Sequence, residues 1–231
     1  MWPFDRGRTG SSPVFTQRLA RALPQPGCPI CRLVREGEER WAWTLLYEFT
    51  GDPEIHELFA SSLGLCAQHA RLLERVVEEK RLMTPSGVAR LYETVVRRLA
   101  GSLAGSPIRL SLKRGDCPLC TYAAEAADRE SYFLARLLRL PEWREKFAAS
   151  DGLCLPHLQT TLRHCDREVR GWLLADFERR LAELAANLRE LQRKQRYDVH
   201  EPLSSEEAGA WREALWRLGG MSYDRLLVAD M

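Results

Sequence analysis

Eight of the chain's twelve cysteines and histidines fall in one ordered pattern. Cys28-Pro29-Ile30-Cys31 is followed, after 34 residues, by Cys66-Ala67-Gln68-His69. Cys117-Pro118-Leu119-Cys120 is followed, after 33 residues, by Cys154-Leu155-Pro156-His157. Proline just inside a helix start occupies a position whose N–H would lack a partner anyway, so each Cys-Pro-x-Cys is expected to open a helix. The unpaired N–H groups and positive end of that helix favour thiolate, the form that binds metal or attacks as a nucleophile. In Cys-x-x-His at another helix start, residues three apart share a face, so sulfur and imidazole converge on one point. Three thiolates and one imidazole suit tetrahedral zinc with no open position, the design of a structural site.

The expected metal ligands are therefore Cys28, Cys31, Cys66, His69, Cys117, Cys120, Cys154 and His157, holding two zinc ions. An iron–sulfur cluster also takes thiolates and stands as the alternative, which would make the chain an iron–sulfur or thiol-based redox protein. A thioredoxin-like dithiol expects a strand–helix setting that this sequence lacks. Pairing within each half is the simpler expectation. The exchanged arrangement, Cys28 and Cys31 with Cys154 and His157, remains open.

The order of ligands marks an internal repeat, and its flanks agree. Ser62-Leu63-Gly64-Leu65-Cys66 matches Ser150-Asp151-Gly152-Leu153-Cys154. An offset of 89 aligns Glu36 with Glu125 and Arg40 with Arg129, an offset of 88 aligns Pro53 with Pro141 and Phe59 with Phe147, and Arg97-Arg98-Leu99-Ala100 resembles Arg179-Arg180-Leu181-Ala182. One deletion near residue 50 and extra residues around Lys80 to Val88 reconcile the offsets. The expected organisation is a flexible segment over 1–19, repeats over 20–106 and 112–197, and a C-terminal helical extension over 198–231.

The elements that must position these ligands read as all-α, because no alternating β-branched run competes with helical spacing. Leu33, Val34, Trp41, Leu45 and Leu46 give a stripe about five turns long that ends before Gly51-Asp52-Pro53. A short helix from Pro53 stops at Gly64, Cys66 opens the next, and Thr84-Pro85 starts one carrying Leu91, Val95, Leu99 and Leu103. Each repeat is thus a bundle of about four helices with a Cys-x-x-Cys/Cys-x-x-His metal site. In the second, Asp166 caps a helix whose Phe177, Leu181, Leu184, Leu188 and Leu191 form an apolar seam. About 30 residues at 1.5 Å each give about 45 Å, more than a small bundle needs, so the seam is expected to meet another surface. Beyond it, Ser204-x-x-Glu207 is a capping box, and Ala208, Trp211, Leu215 and Leu218 form one face before Gly219-Gly220.

Cys165, His164 and His56 align with Val77, Val76 and Arg144, so none repeats as a ligand. Trp41, Trp43, Trp143 and Trp172 read as core. Arg189, Arg193, Lys194 and Arg196 form a basic helix end that complements the helix dipole before it suggests RNA. The chain's 34 basic and 32 acidic residues leave a net charge of +2, which disfavours nucleic acid. The longest uncharged stretch, Leu58 to Ala70, is 13 residues, short of the roughly 20 a membrane helix needs. Met1-Trp2-Pro3-Phe4-Asp5-Arg6 puts an acid and turn formers where a secretory signal needs an apolar run, so a cytoplasmic location is expected. No phosphate-cradling loop, nucleophile elbow or His-Glu-x-x-His occurs, so the expected role is a binding or adaptor module, with an unidentified protein or a second copy as partner, rather than an enzyme.

With Cys-Pro-x-Cys, Gly64-Leu65-Cys66-Ala67-Gln68-His69 and Gly152-Leu153-Cys154-Leu155-Pro156-His157, the chain resembles a prokaryotic domain family of unknown function marked by the recurrence of these two motifs. The likeness spans most of residues 25–220 and extends to Tyr197-Asp198-x-x-Glu201-Pro202 and Trp211-Arg212-x-Ala214. It implies a helical fold and metal sites but no activity.

Overall fold

The computed structural model describes residues 13–79, 84–104 and 115–221. The N-terminal hexapeptide, the Lys80 end of the expected insertion and the expected gap between repeats lie outside them. Ten helices and no strand occur among the described residues: α1 (Pro13–Ala22), α2 (Pro29–Glu48), α3 (Pro53–Ser62), α4 (Ala67–Glu79), α5 (Pro85–Ala104), α6 (Pro118–Leu137), α7 (Pro141–Ala148), α8 (Leu155–Leu162), α9 (Arg167–Lys194) and α10 (Ser205–Gly219). The fold is all-α. None of these helices is long and apolar enough to cross a membrane.

Local sequence accounts for the helix starts. Asp52 accepts from Glu54 N at 2.8 Å with Pro53 next in line, and Asp166 accepts from Val169 N at 2.9 Å. At α10 the reciprocal capping box forms: Glu207 N donates to Ser204 Oγ at 3.2 Å, and Ser204 N donates to Glu207 Oε2 at 2.9 Å. Residues 13–19, expected to be a flexible lead, belong instead to α1. Leu19 is fully buried there, and Phe15 stacks on Phe133 with ring centroids 4.0 Å apart.

The chain divides into two compact units, residues 1–34 with 127–231, and residues 35–126. Their limits fall inside α2 and α6, not between the sequence halves 20–106 and 112–197. The first unit encloses a core of Leu19, Ile30, Leu33, Leu134, Leu138, Phe147, Leu173 and Phe177. Within it α10 packs along α9 and against α8. In the second, α3 packs on α5, with Phe59 meeting Tyr92 edge-on at 5.9 Å.

The α9 seam is covered by the chain itself. Phe177, Leu184 and Leu191 are buried, and Leu184 shares a cleft of about 540 Å³ with Trp216 of α10. The face expected of α10 is reversed. Ala210 and Arg217 turn inward, where Arg217 donates to Leu153 O at 3.3 Å and pairs with Glu213 at 2.6 Å. Trp211, Leu215 and Leu218 are exposed. A paired arginine reaching a backbone carbonyl outcompetes the apolar stripe for the inward position, because its charge is compensated on burial.

Candidate metal centres

Each candidate metal centre is built from two helix starts. Cys28, Cys66, Cys117 and Cys154 precede α2, α4, α6 and α8, and each carbonyl accepts the first helical bond, from Arg32 N (3.2 Å), Ala70 N (2.8 Å), Thr121 N (3.1 Å) and Leu158 N (2.8 Å). The second ligand of each pair lies three residues on, in the first turn, so both point past the same end of the helix.

The pairing is exchanged between the sequence halves. Cys28, Cys31, Cys154 and His157 form one group and Cys66, His69, Cys117 and Cys120 the other, the ligand atoms of each lying within 4.8 Å of one another. This corrects the within-half expectation. In the first group His157 Nδ1 lies 3.5, 3.3 and 3.2 Å from the sulfurs of Cys28, Cys31 and Cys154, and Cys31 and Cys154 sulfurs are 3.7 Å apart. In the second, His69 Nδ1 lies 3.3, 3.4 and 3.4 Å from the sulfurs of Cys66, Cys117 and Cys120, with Cys66 and Cys120 sulfurs 3.7 Å apart. The first group lies in the unit of residues 1–34 and 127–231, the second wholly in 35–126. The structure brings together all eight residues that motif spacing singled out, but spacing left their partners open, since each half offers the same two pairs.

Tight backbone turns deliver the Cys-x-x-His ends. Gly64 has φ +77°, and a Cβ there would lie 2.8 Å from the Tyr92 ring, whose hydroxyl accepts from Leu65 N at 3.2 Å. Gly152 has φ +75°, and a Cβ would meet Arg180 Nε at 2.9 Å. Both conformation and space demand glycine.

Without metal, each cluster polarises its own members. Burial pushes the Cys28 thiol up, but hydrogen bonds from Cys154, Cys31 and His157 prevail and hold it well below the usual thiol range. Bonding to Cys154 and Cys28 raises Cys31. Burial alone would lower His157, yet Cys154 and Cys28 lift it to about 10. In the second group burial is again outweighed: hydrogen bonds around Cys66 and Cys120 bring Cys117 to about 7, and Glu38 and Cys117 lift His69 to about 9. Burial and the Cys66 sulfur push Cys120 to about 12.

Glu38 is the residue motif reading missed. Its Oε1 accepts from His69 Nε2 at 2.9 Å, in a buried pair. Its signal was an acid two helical turns beyond the Cys-Pro-x-Cys opening, obscured because the aligned position in the second half is Ala127. The remaining candidates lie outside both groups. His56 accepts from Thr94 Oγ1 (2.7 Å) and donates to Thr50 O (3.0 Å), His164 meets Asp128 at 2.8 Å, and Cys165 donates to Thr161 O. The basic end of α9 is neutralised by Arg193 with Glu190 and Glu201, Lys194 with Glu207 and Arg196 with Asp198. Trp41 and Trp143 are buried, and Trp43 and Trp172 partly so.

Comparison with protein-family models, curated proteins and solved structures finds no match. The class defined by fold and site together is an all-helical protein with two Cys3His groups arranged to bind metal.

Proposed function

We propose that the chain is a zinc-pinned helical scaffold that acts as a protein-binding module in the cytoplasm, and that it belongs with the duplicated-motif family it resembles. The observation that carries the metal reading is the spacing of the two ligand sets. Zinc–sulfur bonds of about 2.3 Å and zinc–nitrogen bonds of about 2.0 Å set tetrahedral edges of about 3.8 Å between sulfurs and about 3.5 Å between sulfur and nitrogen. The sulfur–sulfur contacts of 3.7 Å and sulfur–nitrogen contacts of 3.2–3.5 Å follow that figure. A multi-iron cluster seats its ligands on different irons and needs a wider set, so the spacing favours a single ion. Four protein ligands fill a tetrahedron, which supports a structural over a catalytic role.

The binding role rests on Trp211, Leu215 and Leu218, an exposed apolar row on α10. Elemental analysis of untagged protein tests the metal reading. About two zinc equivalents per chain are expected, and colourless solution; visible absorbance with iron and sulfide would replace zinc by a cluster.

A further inference from the structure

The two centres differ in what covers them. In the first, Cys28 and Cys154 are fully buried and Cys31 is 9% exposed. The chain following α10 closes over it: Met221 N donates to Cys31 Sγ at 3.4 Å, Cys28 N donates to Met221 Sδ at 3.2 Å, and Gly220 lies against the sulfurs of Cys31 and Cys154. Gly27, with φ +83°, has no room for a side chain because a Cβ would overlap Met221 Sδ. In the second centre His69 and Cys117 are buried, but Cys120 is exposed and Cys66 partly so. Those two sulfurs are 3.7 Å apart.

We infer that the Cys66–Cys120 edge of the second centre is an oxidant-reactive site, at which hydrogen peroxide joins the two cysteines and expels the ion while the first centre keeps its own. This rests on the two-ion reading and adds to it a division of labour between the sites. The Cys120 thiolate attacks one peroxide oxygen, the O–O bond breaks, and sulfenic acid and hydroxide form. The Cys66 thiolate then attacks that sulfur, making the S–S bond and expelling a second hydroxide. Two electrons pass from the thiolates to the peroxide, so no other reductant is needed. Closing to about 2.05 Å withdraws two of the ion's four ligands. Access decides which centre reacts, since sulfur oxidation follows exposure as well as thiolate character.

The test treats the zinc-loaded full chain with hydrogen peroxide, reads released zinc with a chromophoric chelator, and maps thiols by isotope-coded alkylation. One equivalent should leave about tenfold or more faster than the other, with a Cys66–Cys120 disulfide forming at the same rate. Met221→Ala should speed the slow phase and leave the fast one unchanged. Equal release of both ions, or a first disulfide within Cys28, Cys31 and Cys154, overturns the inference. If the purified chain holds no metal, the two-ion reading fails separately, and the order of oxidation read by alkylation still decides which edge is reactive.

Discussion

Glu38 accepts a hydrogen bond from His69 Nε2 at 2.9 Å, which leaves Nδ1 of the same ring facing three cysteine sulfurs. A carboxylate behind a metal-binding histidine fixes the ring's tautomer and orientation and raises its basicity. Among the described residues no carboxylate stands in this relation to His157, where the aligned position is Ala127. Glu38→Gln should therefore weaken zinc binding at the second centre by about 10- to 100-fold and leave the first unchanged. Chelator competition that resolves two affinities checks this; an equal fall in both, or none, would remove Glu38 from the site.

Exchanged pairing makes double variants diagnostic. Cys28→Ser with Cys154→Ser strikes one centre twice and should cost about one zinc equivalent, whereas Cys28→Ser with Cys66→Ser strikes both and should cost about two. Pairing within the sequence halves requires the opposite result. Metal content by mass spectrometry distinguishes them directly.

The metal-free chain should lose stability as pH rises above about 9. His69 is held up to about 9, so its contribution is full below the unfolded value of 6.5 and disappears as pH climbs through the folded one. Cys117, lowered to about 7 from 9.0, acts oppositely, giving stability above 9.0 that is lost as pH falls through 7. The two offset each other between about 7 and 9. Cys120, raised to about 12, then dominates, because the unfolded thiol ionises at 9.0 while the folded one stays protonated. Zinc reverses the trend, since binding needs thiolates and neutral imidazole and so tightens with rising pH. Melting temperatures at pH 8 and 10, with chelator and with zinc, should move in opposite directions; parallel movement would contradict this account.

The helical fold and the eight candidate ligands were legible because both are local. Proline after cysteine, three-residue ligand spacing and caps such as Asp166 and Ser204 act within one turn of chain. The partnership of Cys28 with His157 joins residues 129 apart, and identical motifs in the two halves carry no information about which pair meets which. The orientation of α10 was illegible for a different reason. Hydrophobic spacing selected Trp211, Leu215 and Leu218, but burial went to Arg217, whose carbonyl partner Leu153 lies 64 residues away.

Gly152→Ala should destabilise the chain by about 1–3 kcal/mol, since it places a side chain at φ +75° and drives its Cβ toward Arg180 Nε. Arg180 also donates to Ser150 O at 2.8 Å, so displacing it loosens the turn that delivers Cys154. Urea unfolding should show the loss, and the zinc affinity of the first centre should fall with it. An unchanged midpoint would mean that the turn relaxes at no cost.

The two apolar rows of the C-terminal region should respond oppositely to charge. Leu184 is 4% exposed beneath α10, so Leu184→Glu buries an unpaired carboxylate and should cost about 3 kcal/mol or more. Leu215 is 56% exposed, and Leu215→Glu should change stability by no more than about 0.5 kcal/mol. Thermal melting separates the two variants. Light scattering then asks what the outer row does: if it joins copies of the chain, Leu215→Glu lowers the mass without lowering the melting temperature, and if it docks another protein the mass stays constant. Equal melting temperatures for the two variants would contradict the placement of α10 itself, because a seam covered by that helix cannot accept charge as readily as its solvent-facing side.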